Sequence, residues 1–245
     1  MPRMGAQAQM SVKALVFDLY GTLVNIRTDE QDPTLYSELS KFLSYSHVNI
    51  SPEDLKEEYL KGVRRSLSAG KEEYPEVDVR RIFTGIVGSR REGRAEPRTA
   101  LIAARLFRSL SRKHFEPFPG IYGMLERLRE QYSMALLSDA QRCFTEPEIN
   151  QLKLGWFFDH IFLSSDYGFR KPEPKYFRMA IDALKVAPEE AVYVGDNAFR
   201  DLWGAKKAGM RVVLVRSDIR EYDGMKPDVY IDEIASLEQA VADML

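Results

Sequence analysis

From position 14 to position 24 the side chains are mostly apolar, and the single charge among them is Asp18. Ala14, Leu15, Val16 and Phe17 make an apolar run of strand length that delivers this carboxylate to the point where the strand ends. Gly21 then lets the backbone turn, and the hydroxyl of Thr22 follows. A short apolar run closed by a Gly predicts a buried strand. Similar runs over 134–138, 161–164, 191–195, 211–215 and 229–231 predict five more. Among them, 121–131, 174–184, 199–209 and 237–244 read as helices, and Thr145-Glu146-Pro147-Glu148 has the hydroxyl-to-Glu spacing that opens another. The segment 169–174 is expected to be a loop, because Pro172 and Pro174 flank Glu173 and forbid regular pairing. Strands alternating with helices predict an α/β protein with a doubly wound parallel sheet, whose ligands gather beyond the carboxyl ends of its strands.

From about 29 to 114 the alternation stops, and the pattern predicts helices and no strand. Leu35, Leu39, Phe42 and Leu43 make one apolar stripe; Ile102, Leu106 and Leu110 make another. Ser51-Pro52-Glu53-Asp54 is a helix start: a capping hydroxyl, a Pro in the first turn, then acids near the positive end of the dipole. Residues 28–114 are therefore expected to form an inserted all-helical domain, with 1–27 and 115–245 as the core. The connections at 25–28 and 115–120 would be hinges. Acids such as Glu57, Glu58, Glu72, Glu73 and Glu76 concentrate in the first half of the insert. Arg80, Arg81, Arg90, Arg91, Arg94, Arg98, Arg105, Arg108, Arg112 and Lys113 fill the second, against Glu92 and Glu96. A solvated surface, or arginines paired with the acidic half, accounts for this better than an anion-attracting face.

With 245 residues the chain can bury a substantial core. A net charge of −2 argues against general affinity for nucleic acid or membrane surfaces. The single cysteine, Cys143, excludes a disulfide framework and a cysteine-based metal cluster, which suits a reducing cytoplasm. No apolar run approaches the roughly 20 residues that span a bilayer. The first ten residues lack a signal-type hydrophobic core and read as a leader, with Met10 an alternative start.

Polar groups recur at four predicted strand ends or loops: Asp18 with Thr22, Ser138 with Asp139, Lys171, and Asp196 with Asp201. The strings VFDLYGT, LLS, RKPEP and VYVGDNAFRD resemble, in order, the four signatures of the haloacid dehalogenase superfamily of hydrolases. The resemblance runs from about Ala14 to the C-terminus and includes the insert, which lies where that family carries a helical cap. It implies a Rossmann-like core with a cap closing over it. It also implies a phosphatase that acts through an aspartyl-phosphate on a small, anionic, phosphorylated metabolite. Asp18 would be the nucleophile. Mg²⁺ would be held by Asp18, the backbone carbonyl of Tyr20, and Asp196. Thr22 or Ser138 would hydrogen-bond the transferring group, and Lys171 would hold nucleophile and developing charge together. Asp201 would orient Lys171 or the waters of the metal. Asp139 and Asn197 stand beside these groups as substrate-binding candidates. A cap of this kind can also supply a homodimer face.

The resemblance has one departure. The family's phosphatases place a second Asp two residues after the nucleophile as acid and base, and here that residue is Tyr20. A phenol titrates near ~10 and cannot replace a carboxylate base at neutral pH. Poor leaving groups should therefore react slowly, and the aspartyl-phosphate should be long-lived. The string Asp-Leu-Tyr-Gly-Thr-Leu is similar to that of L-2-haloacid dehalogenases, which use no metal, and Asn197 also fits them. Against that reading, Gly195-Asp196-Asn197 suits a cation, and no Arg between Arg27 and Arg64 is available to take a halide. A third reading, a protein that binds a phosphorylated ligand with little turnover, follows from the missing acid.

Overall fold

The computed structural model describes residues 11–90 and 98–244. The expected leader with Met10, and Arg91, Glu92, Arg94 and Glu96, lie outside the described residues. In chain order β1 (Ala14–Phe17) and β2 (Val24–Thr28) precede α1 (Pro33–Tyr45), α2 (Pro52–Ala69), α3 (Val79–Arg90) and α4 (Thr99–Ser111). Next come β3 (Arg112–Pro117), α5 (Ile121–Arg129), β4 (Ser133–Ser138), α6 (Arg142–Gln151), β5 (His160–Leu163) and α7 (Pro174–Leu184). The chain closes with β6 (Ala191–Gly195), a wide helical turn at Ala198–Trp203, α8 (Gly204–Lys207), β7 (Arg211–Val215), β8 (Val229–Ile231) and α9 (Leu237–Ala242).

Six strands form one parallel sheet in the order β5-β4-β1-β6-β7-β8, as the alternating pattern predicts. The chain leaves β1 toward β4 and β5, then returns to β1's other side at β6, so the strand order reverses beside β1. Such a switch point is where open α/β sheets bind ligands. Both faces are covered. Leu15 and Phe17 pack with Leu136, Val194 and residues of α5 and α9, while Ala14 and Val16 pack with Leu137, Tyr193 and residues of α7 and α8. Each large apolar side chain buried this way contributes roughly 1.5–3 kcal/mol, enough for a strand to hold a charged residue at its end.

The helices α1–α4 bury a separate cluster that includes Leu35, Leu39, Leu43, Phe83 and Phe107. Ser51 caps α2 as expected, accepting from the Asp54 N–H at 3.1 Å. Three expectations need correction. The stripe of Ile102, Leu106 and Leu110 is only the edge of the packed face of α4: Leu106 and Leu110 pack half-buried against the cluster and Ile102 is 42% exposed, whereas Ala100, Ala103, Ala104 and Phe107 are buried. The small residues let α4 pack against α1 and α3, and Phe107 meets the rings of Tyr36, Tyr59 and Phe83. The stretch 29–114 is not strand-free either, because β3 begins at Arg112 and pairs antiparallel with β2. β3 has no apolar alternation to announce it; its backbone bonds to β2 make it a strand. Finally, α6 begins at Arg142 with Gln141 as its N-cap, so Thr145 lies inside the helix and caps nothing.

The basic half of the insert is largely paired. Arg90 binds Glu58, Lys113 binds Asp32 at 2.5 Å, and Arg108 and Arg112 reach Glu148 on α6. Among the described residues no helix is long and apolar enough to cross a membrane.

Candidate active site

Phe17 lies in register with Leu136 on one side and Val194 on the other, so Asp18 leaves the central strand between the ends of β4 and β6. Its N–H is bonded to the Val194 carbonyl at 2.9 Å, which fixes the start of the turn. Lys171 is buried opposite, its Nζ 2.9 Å from Asp18 Oδ1, 2.6 Å from Asp201 Oδ1 and 3.0 Å from the Tyr193 hydroxyl. Tyr193 donates to Asp201 Oδ1 at 3.0 Å, and the Asn197 N–H donates to Asp201 Oδ2 at 2.9 Å. Asp201 is therefore fully occupied in orienting Lys171 and the turn after β6. Burial opposes the Lys171 charge, but Asp18, Asp201 and Asp139 together outweigh it and hold its pKa above the usual lysine range. Burial likewise raises the Asp18 carboxyl; Lys171 pulls it back down and Asp201 pushes it up.

Asp196 leaves β6 beside Asp18 and is pushed up to about 7 by burial, then by Asp201 and Asp18. Thr22 Oγ1 lies 3.4 Å from Asp196 Oδ1. Gly21 has φ +87°, and a Cβ there would stand 2.3 Å from Asp196 Oδ2. Glycine is required twice at this position, by the backbone and by the carboxylate against it. Gly21→Ala is expected to cost about 1–2 kcal/mol for the left-handed backbone alone, before Asp196 is displaced. A urea midpoint equal to that of the unaltered protein would refute this.

Asp18, Asp196 and Asp201 offer carboxylate oxygens within 4.8 Å of one another. With Asp201 occupied, Asp18 and Asp196 remain as a pair of hard oxygen donors, the kind Mg²⁺ takes while keeping several waters. The donor set fits a divalent cation.

The other expected residues fall as follows. Ser138 is buried at the end of β4, and its carbonyl accepts from the Tyr176 hydroxyl at 3.0 Å. Asp139 Oδ1 accepts the Lys171 N–H at 2.9 Å, and burial pushes this carboxyl up to about 7. Asn197 Oδ1 accepts the N–H groups of Phe199 and Arg200 at 3.1 and 2.8 Å. That oxygen caps the Ala198–Trp203 turn and is not free for a substrate. The Tyr20 phenol is engaged too. It donates to Glu148 and lies 3.1 Å from Thr145 Oγ1, and the Arg108 guanidinium sits 5.2 Å from its ring centre. Burial first, then the Glu148 charge, push this phenol further up from its ordinary range.

Several contributors carried no signal in the sequence. Glu148, buried on α6, binds Arg108 of α4 through two bonds of 2.8 and 3.1 Å and so joins the helical insert to the core. Arg216 donates to the carbonyls of Gly21 and Thr22 at 2.8 and 3.0 Å, bracing the turn after Asp18. Glu76, from the segment before α3, receives the Ser164 hydroxyl at 2.5 Å. Only Tyr193 left a trace, as the one polar tip in an otherwise apolar strand.

A cluster of carboxylates at the switch point of a parallel sheet marks an α/β protein that works at the ends of its strands. The chain belongs to the haloacid dehalogenase-like hydrolase family, whose model matches residues 15–215. It is 38% identical over 96 residues to the glyceraldehyde 3-phosphate phosphatase of Pyrococcus furiosus, 39% of this chain and 40% of that protein. The chain thus spans about two fifths of the length of that curated relative. The crystal structure of a HAD phosphatase from Thermococcus onnurineus matches with a TM-score of 0.62 at 25% identity, over 94% of this chain and 98% of that one. A 2-haloacid dehalogenase from Pseudomonas syringae pv. Tomato DC3000 matches with a TM-score of 0.69 at 21% identity, over 96% and 100%. The last likeness speaks to fold alone.

Proposed function

We propose that the chain is a Mg²⁺-dependent phosphatase of a small anionic phosphorylated metabolite, with Asp18 as nucleophile. The observation that carries this reading is the Asp18–Asp196 pair: two carboxylates brought together beside Asp201, with the Lys171 charge shared among them. A cation-free displacement at carbon has no use for Asp196 there. The likeness to phosphatases in sequence supports the same conclusion.

Asp18 and Asp196, with the Tyr20 carbonyl, would hold the metal. Bound there, Mg²⁺ supplies the positive charge that lets an anionic nucleophile approach an anionic phosphoryl group. Lys171 holds Asp18 through Oδ1, which orients the carboxylate for attack. Thr22 and Ser138 are assigned to the phosphoryl oxygens. Residues 28–114 act as the cap that excludes water and selects substrate, and the β2–β3 ribbon is its connection to the core formed by 1–27 and 115–245.

The test is a steady-state assay on p-nitrophenyl phosphate and 2-chloropropionate, with Mg²⁺ and with EDTA. Phosphate release that stops in EDTA is expected. Chloride release that survives EDTA would instead make the chain a dehalogenase, the reading that Tyr20 invites. Tight retention of phosphorylated ligands without turnover would make it a binding protein.

A further inference from the structure

We infer that Arg216 is a positioning residue for the cation site: its guanidinium holds the turn whose Tyr20 carbonyl, beside Asp18 and Asp196, would take the metal. This inference rests on the Mg²⁺-dependent phosphatase reading and deepens it. The turn after Asp18 does not fix itself. Gly21 permits the left-handed backbone there, with φ +87°, but glycine restricts its own rotation least of all residues. Within the turn, the peptide that joins Tyr20 to Gly21 is held where the Gly21 N–H donates to the Val24 carbonyl at 2.9 Å. The Thr22 hydroxyl adds little, since it stands 3.4 Å from Asp196 Oδ1. The next two carbonyls, of Gly21 and Thr22, are both taken by Arg216 Nη2, at 2.8 and 3.0 Å. Hydrogen bonds from a charged donor are roughly twice as strong as neutral ones. The same glycine lies directly against the second carboxylate of the pair, 2.3 Å from Asp196 Oδ2 were it to carry a Cβ. Arg216 therefore sets how closely the turn approaches Asp196.

Arg216 is placed for this reach. It follows β7 directly, and β6 lies between β7 and β1 in the sheet, so the side chain spans the end of the strand that delivers Asp196. Its backbone has φ +52°, uncommon for a residue other than glycine, while its N–H stays bonded to the Ile231 carbonyl of β8 at 2.9 Å. The guanidinium carbon lies 3.8 Å from the centre of the Phe118 ring. Phe118 in turn donates its N–H to the Leu23 carbonyl at 3.0 Å. One planar cation thus joins the end of β7, the turn after β1, and the connection that leads from β3 back into the core.

Position and charge act in opposite directions here. Asp196 and Glu233 are the carboxylates whose charges reach Arg216, which makes it a cation near a cation site. If its charge alone mattered, removing it would tighten metal binding, because like charges repel. Removing a brace on the turn loosens metal binding instead.

Arg216→Met keeps an apolar stem and removes both the donors and the charge. Mn²⁺, which takes the same oxygen donors as Mg²⁺, is titrated into the variant and the unaltered protein without substrate. Free Mn²⁺ is read by its electron paramagnetic resonance signal. Binding weakened roughly 10–100-fold is expected, the range for groups that orient metal ligands. A loss below about tenfold, no change, or tighter binding would overturn the inference. Lys226→Met removes one positive charge from the same connection between β7 and β8, at a side chain 73% exposed and paired with Glu221. It should leave Mn²⁺ binding unchanged, and an equal loss there would overturn the assignment as well. Should Arg216→Met not fold, Arg216→Lys decides, since it keeps the charge without the plane that rests on Phe118. Weaker Mn²⁺ binding by the lysine variant supports the brace, and binding equal to that of the unaltered protein overturns it. If the unaltered protein itself binds no Mn²⁺, the cation reading has failed and this inference with it.

Discussion

Asp18→Asn should lower phosphate release by roughly 10³–10⁶-fold, the range seen when a covalent nucleophile is removed, and yet leave the protein at least as stable. The two effects share a cause. Asp18 is 5% exposed, and burial dominates the causes that raise its pKa in the folded chain. A carboxyl whose folded pKa lies above its unfolded value favours folding only at low pH, and that contribution is lost as pH rises through the folded value. At neutral pH the ionised Asp18 therefore costs stability, and the neutral amide removes the cost. Thermal unfolding in EDTA should show the variant at or above the unaltered protein near pH 7, with the gap closing toward pH 4. A clear destabilisation at pH 7 would mean that the Lys171 contact outweighs burial.

Lys171→Met should produce the opposite profile. The side chain is almost fully enclosed, and its ammonium touches Asp18, Asp201 and the Tyr193 hydroxyl. Removing one member of a buried ion pair strands the other, at a cost of about 3–5 kcal/mol. Here two carboxylates lose their direct partner at once and Asp139 loses a neighbouring charge. Methionine keeps most of the volume, so the loss reports charge more than packing. Urea denaturation at pH 7 should show it, and activity should disappear. Adding Asp201→Asn to this variant should recover part of the stability, because the pair is coupled and the two changes are not additive. A loss below about 1 kcal/mol for the single variant would show that water or a cation reaches the stranded acids.

Most of the grouping of side chains around Asp18 was legible before any coordinates. Lys171 and Asp201 were expected to meet near the nucleophile, and they lie 2.6 Å apart. Asp196 was expected beside Asp18, and the parallel register of β1 and β6 places it there. Asn197 was expected as a substrate-binding candidate, and the part its carbonyl oxygen plays in capping the next turn was not legible. Tyr20 was recognised as the departure, but nothing local announced that its phenol would be held by Glu148, 128 residues away.

The sequence by itself determined the six strands of the main sheet, their parallel run, and the delivery of acids to the strand ends. Those features follow from local periodicity: an apolar run of four or five residues must be buried on both faces, and the polar residue that ends it must emerge at an edge. Only the tertiary structure decided that β3 pairs with β2, that α4 packs through Ala103, Ala104 and Phe107, and that Arg108 crosses to Glu148. It alone placed Asp139 on the Lys171 backbone with one oxygen left unpaired. Each of these depends on which groups distant segments bring face to face. A buried polar atom takes its partner from whatever the packing supplies, and short-range patterns carry no record of that choice.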